Sequence, residues 1–330
     1  MSTPPPLLPE PPAGARHYVD TPEALAQAAA VIAAAPALAL DVEAGKSRTA
    51  TVTVAALIQI AAPDQTWLID VLRLNGKLGP LDEALRASVP VVLFDAPGDM
   101  RWLEGADVHL GFATDILQVT RSAYGEQDKS LREALRRQFR VGLDKAGQQA
   151  DWMARPISPP LRHYAARDAE LTLALGARYR DLFPALMAVH TYPGGHATLP
   201  EGLPHWLRRS LSGDRAPAYV LAAEDGLPME QDESIPALLE GAGRGLDLVV
   251  IPWQRARVYR AIAGLDLDEL TGRVALGLSS FCAVERTAAA KALGDLQATA
   301  TAGLLEQAVR DPVADVARAA TRALSVLHAS

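Results

Sequence analysis

The sequence predicts an α/β core followed by a mostly helical C-terminal region. Apolar, β-branched runs come early, at 37–43, 51–60, 66–71 and 89–94. Helical patterns are interleaved with them at 22–35 and 79–88, then dominate from about 98 to 188. A Pro- and Gly-rich stretch, YPGGHATLPEGLP at 192–204, divides the chain, and Ala/Leu-rich amphipathic segments close it. Strands mixed with helices and then outnumbered by them favour a sheet covered by helices.

Each element has a local reason. Thr21 and Pro22 open an Ala-rich helix, a polar cap followed by a residue with its φ already fixed. The apolar run Leu38-Ala39-Leu40 begins a strand over 37–43, and TVTVAALIQI and TWLIDV form two more around the Pro63-Asp64 turn. VPVVLF is short and β-rich, the pattern of a strand buried in a mixed sheet. The start, MSTPPPLLPEPPAGAR, reads as a disordered Pro-rich tail over 1–16 that lacks the basic-then-apolar order of a secretory leader. The expected organisation is a tail over 1–16, a core over 17–190, a linker over 191–204 and a helical region over 205–330. In that last region LDLVVIPW reads as strand-like, with Gly241-Ala242-Gly243-Arg244-Gly245 a flexible turn before it. VERTAAAKALGDL, TAGLLEQAVRD and PVADVARAATRALSVL read as three amphipathic helices whose spacing resembles HEAT repeats, and a plain helical bundle fits them as well.

Composition narrows the function. A net charge of −7 argues against a protein that coats nucleic acid over its whole surface. One cysteine, Cys282, excludes an internal disulfide and fits a reducing compartment, so a cytoplasmic location is expected. No apolar run approaches a membrane span. There is no GxSxG, no phosphate-binding glycine loop and no thiol pair for zinc. The spacing of His190, His196 and His205 matches no standard metal motif.

The chemistry lies in carboxylates. Asp41 and Glu43 are two apart on a strand, so they share a face, and two carboxylates side by side repel unless a cation lies between them. Asp99 follows a strand and the Pro97-Gly98 turn, beyond the carboxyl end of a strand where ligands gather in open α/β sheets. Asp95 shares that loop. Tyr164 and Asp168 are four apart on a helix and share a face next to Leu161, Leu171 and Leu175, while Glu170 lies on another. Four carboxylates call for cations, and hard oxygen ligands select Mg²⁺ or Mn²⁺. Two such ions about 3.5–4 Å apart can clamp a phosphodiester.

In this order the motifs resemble the DEDD superfamily of 3′–5′ exonucleases, in its tyrosine-bearing branch, and ribonuclease D most of all. The first is D-x-E in LALDVEAGK, the second Asp99 in LFDAPGDMRWL, the third Y-x-x-x-D in HYAARDAEL. FATDILQVTRSAYG resembles the segment carrying the family's additional Asp, here Asp115. LREALRRQFRVGLDKAGQQADWMARPIS resembles the stretch before the third motif. The resemblance covers about residues 17–185 and implies a ribonuclease H-like domain with a mixed central sheet. It implies that Asp41, Glu43, Asp99 and Asp168 bind two divalent ions and that Tyr164 positions the attacking water. Ala44-Gly45 stands where the family often has an aromatic residue, and the loop before Asp99 is one residue shorter.

For substrate contact, KSLREALRRQFR brings Lys129, Arg132, Arg136 and Arg140 close to one helical face, a phosphate track or a solvated face. Lys145 and Arg155 flank the loop before the third motif as further backbone contacts. The expected function is a two-metal 3′–5′ exonuclease on single-stranded RNA ends. The same chemistry on DNA is one alternative. Another is a catalytically weak nuclease fold serving as an adaptor, with a protein partner docked on the C-terminal helices.

Overall fold

The computed structural model describes residues 7–46, 52–125, 130–141, 147, 150–212, 214, 216–227 and 234–329. They form two compact units. The first takes the described residues of Ser2–Val119 and Lys129–Ala197, the second those of Thr120–Asp128 and Thr198–Ser330.

The first unit is built on a seven-stranded sheet in the order β1-β4-β3-β2-β5-β6-β7. The strands are β1 Ala15–Val19, β2 Leu38–Lys46, β3 Thr53–Ala62, β4 Gln65–Asp70, β5 Val91–Leu93, β6 Phe112–Asp115 and β7 Thr191–Pro193. The pairs β1–β4, β2–β5 and β5–β6 are parallel and the other three antiparallel, so the sheet is mixed. The helices are α1 Pro22–Ala33, α2 Gly79–Ala87, α3 Ala96–Gly105, α4 Ile116–Tyr124, which ends in the second unit, α5 Leu131–Gln138, α6 Pro159–Leu182 and α7 Pro184–Val189.

Alternation along the strands sorts the residues onto two faces. Leu38, Leu40 and Val42 of β2 pack with Ile58, Ile60, Trp67 and Ile69 beneath α1, α2 and α3. Thr21 caps α1, its Oγ1 accepting from the Ala24 N–H at 3.2 Å, and Leu25, Ala28 and Ile32 supply the buried stripe. The opposite face carries Leu57 and Leu68 against Trp152, Ile157, Ala165 and Ala166, so α6 covers it. Gly176 permits that approach: a Cβ there would stand 2.9 Å from Val92 Cγ1. Asp41 and Gln59 are cross-strand partners, as are Glu43 and Leu57, so both acids belong to the α6 face.

The register of β2 against β3 shifts between Glu43 and Ala44. Glu43 faces Leu57 and Ala44 faces Ala55, which leaves Ala56 as an extra residue in β3. Such a bulge bends a strand and takes one residue out of the ladder.

Three features depart from the sequence expectation. Leu8 of the tail bridges to Phe139, and Arg167 holds the Glu10 carboxylate at 2.6 Å and the Pro11 carbonyl at 2.7 Å, so from residue 8 the tail is fastened. The expected linker begins with β7, which pairs with β6. The strands β1, β6 and β7 all lie outside the predicted set.

The second unit is helical: α8 His205–Ser212, α9 Ala218–Glu224, α10 Ile235–Leu248, α11 Pro252–Gly264, α12 Thr271–Ala275, α13 Ala283–Asp295, α14 Ala302–Ala308 and α15 Ala314–Leu327. Trp206, Leu207, Leu246, Tyr259, Ile262, Leu293 and Ala320 share one core. The run expected as a glycine turn before a strand is instead part of α10, which continues to Leu248. Its glycines are contact points: a Cβ on Gly245 would meet Leu207 at 2.7 Å, and one on Gly241 would meet Pro204 at 2.9 Å. Close packing offsets the entropy that glycine costs a helix. No helix among the described residues is long and apolar enough to cross a membrane.

Candidate active site

The three elements that carry the predicted acids converge on the α6 face of the sheet. Asp41, Glu43 and Asp168 place one carboxylate oxygen each within 4.8 Å of the others, the only such group of potential ligands among the described residues. Asp99 stands outside that trio but against it. It lies in the first turn of α3, after β5, and β5 runs parallel to β2, so the turn arrives beside Asp41 and the Val42 N–H. Asp99 and Asp168 are buried.

Electrostatics follow from this crowding. Burial, then the charges of Asp41 and Asp168, push the Glu43 carboxyl up to about 9. Burial and Asp41 push Asp168 up to about 7, against a hydrogen bond from Tyr164 that lowers it. Asp41 is raised to about 6 by burial, against the Val42 N–H. Asp99 is raised well above the usual range by burial, then by Asp41 and Asp95. No Lys or Arg pairs with any of the four among the described residues. The buried atoms Asp99 Oδ2 and Asp168 Oδ1 have no hydrogen-bond partner. Buried carboxylates without partners are costly, and a divalent cation is the group that satisfies several at once. The donor set therefore fits a hard-cation site.

Tyr164 sits one turn before Asp168 on α6, and its hydroxyl donates to that carboxylate. Burial and the neighbouring acids hold the phenol far above its ordinary value, so the hydroxyl keeps its proton. Trp152 lies alongside the ring at 6.3 Å. Gly147 covers the ring so closely that a Cβ there would stand 2.2 Å from Tyr164 Cδ1.

The basic candidates divide. Arg132 and Arg136 are exposed on α5 and form no ion pair among the described residues. Lys129 and Lys145 lie outside the described residues. Arg155 spends its donors inside the protein. It grips Asp70 with Nε at 2.6 Å and Nη2 at 2.9 Å, and donates to the carbonyls of Trp152, Ala154 and Ala56 at 2.7, 2.8 and 2.8 Å. Of the other singled-out residues, Asp115 is buried and caps α4, accepting from the Leu117 and Gln118 N–H groups at 3.0 and 3.3 Å. Glu170 pairs with Arg16 at 2.7 Å and Arg167 at 3.1 Å, which holds its carboxyl below the usual range. His190 is buried against the Tyr192 hydroxyl at 2.8 Å, while His196 pairs with Glu104 and His205 with Asp225.

Two residues were missed. Gln59 is fully buried beside Asp41. With its amide nitrogen turned to β2, it donates to the Asp41 carbonyl at 2.5 Å and reaches Oδ2 at 3.3 Å. Asp70, at the end of β4, anchors Arg155. The available signal was a lone amide in the apolar run ALIQI, because a polar group there needs a partner.

Comparison with known proteins identifies relatives of this chain. A family model described as a 3′–5′ exonuclease matches residues 16–180, half of the chain. The chain is 28% identical over 179 residues to the exosome complex component 10 homolog of Drosophila melanogaster, covering 53% of this chain and 19% of that protein. It is 26% identical over 159 residues to the RRP6-like 3 protein of Arabidopsis thaliana, covering 47% and 18% respectively. The chain thus spans about a fifth of the length of these curated relatives. Among solved structures it is similar to the catalytic core of RRP6 from Trypanosoma brucei, a C496S mutant, at 18% identity, 95% and 80% coverage and a TM-score of 0.48. It is also similar to ribonuclease D of Escherichia coli, at 20% identity, 94% and 74% coverage and a TM-score of 0.44. On the family match, the chain belongs to the 3′–5′ exonuclease family.

Proposed function

We propose that the protein removes nucleotides from the 3′ end of single-stranded RNA, using two divalent ions, Mg²⁺ or Mn²⁺. One observation carries this reading: Asp41, Glu43 and Asp168 converge within 4.8 Å with no cation from the protein to balance them. These three and Asp99 would hold the ions, and the family membership supports nuclease chemistry. When bound, the ions activate water and neutralise charge on the leaving oxygen.

The chain's own groups then have distinct tasks. Tyr164 keeps its proton, donates to Asp168 and presents its oxygen lone pair as an acceptor that orients the attacking water. Gly147 and Trp152 fix the ring that carries this hydroxyl. Gln59 holds the Asp41 backbone carbonyl and reaches its carboxylate. RNA is favoured over DNA by the ordered motifs resembling ribonuclease D and by the RRP6-like and exosome-component names of the curated relatives. Arg132 and Arg136 are exposed and would meet phosphates.

The test is incubation with 3′- and 5′-labelled single-stranded RNA and DNA, in Mg²⁺, in Mn²⁺ and in chelator, with Asp41→Ala alongside. Metal-dependent stepwise shortening of RNA from the 3′ end, absent in the variant, is expected. Faster loss of DNA would reassign the substrate. No cleavage in either metal would leave the adaptor reading.

A further inference from the structure

The second unit carries a cluster of cations that pair with no carboxylate among the described residues. Arg257 and Arg260, one turn apart on α11, line a cavity of about 490 Å³ with Ser210, Asp214 and Tyr219. Arg260 also lines a second cavity, of about 260 Å³, with Thr287 and Lys291 of α13. The two cavities therefore adjoin at Arg260.

The charge balance of these walls is one-sided. Asp214 is the only carboxylate lining either cavity among the described residues, and it is already spent. It holds Arg209 through Nη2 at 2.7 Å and Nε at 3.0 Å, and accepts from the Ala216 N–H at 3.0 Å. Arg257 donates to the Leu211 carbonyl and lies 4.9 Å from the Trp253 ring centroid, with no acidic partner among the described residues. Burial and the adjacent Arg260 lower its pKa, the mark of a cation held among like charges. Arg260 and Lys291 are exposed and form no ion pair among the described residues.

The shape discriminates among anions. A single phosphate would need one concave pocket, whereas here the cations are distributed over two cavities. Tyr219, half exposed, stands on the wall of the larger one. Cations that follow a backbone, with an aromatic face beside them, are the recognition elements of single strands, because every base can stack on a ring. We propose that these adjoining cavities bind single-stranded nucleic acid, with phosphates at Arg257, Arg260 and Lys291 and a base stacked on Tyr219. The assignment stands apart from whether the first unit cleaves.

The test is fluorescence anisotropy with the full chain and a labelled single-stranded 20-mer, in chelator so that nothing is cut. The variants are Arg260→Glu/Lys291→Glu, both exposed, and Tyr219→Ala. The charge reversal is expected to weaken binding about tenfold or more at low salt and to reduce the salt slope by about two. Tyr219→Ala is expected to weaken it about fivefold or more. Unchanged affinity in a charge-reversed protein with a native circular dichroism spectrum would overturn the proposal. So would a wild type that binds inorganic phosphate or mononucleotide but not the strand. Cleavage of a trinucleotide in Mn²⁺ separates the two readings. Normal cleavage with unaltered 20-mer binding in the charge-reversed variant sinks this site alone. Absent cleavage in the wild type with binding lost in the variant sinks the nuclease alone.

Discussion

Arg155 holds Asp70 with two hydrogen bonds, at 2.6 and 2.9 Å, and the Asp70 side chain is fully buried. The same guanidinium reaches the Ala56 carbonyl in β3, so one side chain ties the segment before α6 to two strands. Its part is to place α6, and with it Tyr164 and Asp168, over Asp41 and Glu43. Replacing Arg155 with Met removes the charge partner of a buried carboxylate and leaves it only the Tyr18 hydroxyl and the Arg73 N–H, which costs roughly 3–5 kcal/mol. Denaturant unfolding should show that loss. Arg155→Lys should recover only part of it, because a lysine cannot bond the carboxylate bidentately.

Gln59 supports Asp41 from the neighbouring strand. Gln59→Leu keeps the volume apolar but removes the amide, and should weaken divalent-ion affinity or activity by roughly 10–100-fold. Calorimetric titration with Mn²⁺ reads the first and cleavage the second. A fall in melting temperature with unchanged ion affinity would make Gln59 a packing residue only.

Tyr164→Phe removes the hydroxyl and leaves the ring against Gly147 and Trp152. Cleavage should slow roughly a hundredfold or more, the scale of losing a positioned proton-transfer or water-orienting group. Mn²⁺ affinity should stay close to wild type. Loss of ion binding would move the hydroxyl from water positioning to ligand support.

The acidic cluster makes stability depend on pH in an unusual direction. Glu43, Asp168 and Asp41 keep protons up to about 9, 7 and 6 in the folded, metal-free protein. The unfolded chain gives them up near pH 4. Between those limits the folded state binds more protons, so stability falls as pH rises. The lowered carboxyls of Asp70 and Glu170 contribute in full above about pH 4 and do not offset this. In chelator, the melting temperature should drop from about pH 5 to 9, and Asp41→Asn should flatten the slope. Mg²⁺ should stabilise more at the alkaline end. Ion uptake should release protons, measurable by calorimetry in buffers of different ionisation enthalpy.

The legible parts of the fold are those whose period is strong. Asp41 and Glu43 sit on a two-residue period and Tyr164 and Asp168 on a helical one, so their shared faces follow from spacing alone. Short elements with no repeating pattern of their own did not show: β6 and β7 are four and three residues long, and pairing with neighbours makes them strands. The α10 glycines misled for a related reason. Gly241 and Gly245 look like breakers until Pro204 and Leu207 are seen to occupy the space a side chain would take. Arg155 was legible as a cation, but not its buried partner, because Asp70 lies 85 positions away.

The extra residue in β3 has a consequence for precision. By leaving the ladder at Ala56, the sheet frees a carbonyl on the α6 side, and Arg155 bonds to it at 2.8 Å. The strand-borne and helix-borne halves of the site are therefore surveyed from one datum. A displacement of β3 at Ala56 therefore pulls directly on the segment that leads into α6, and with it on the acid that the helix carries.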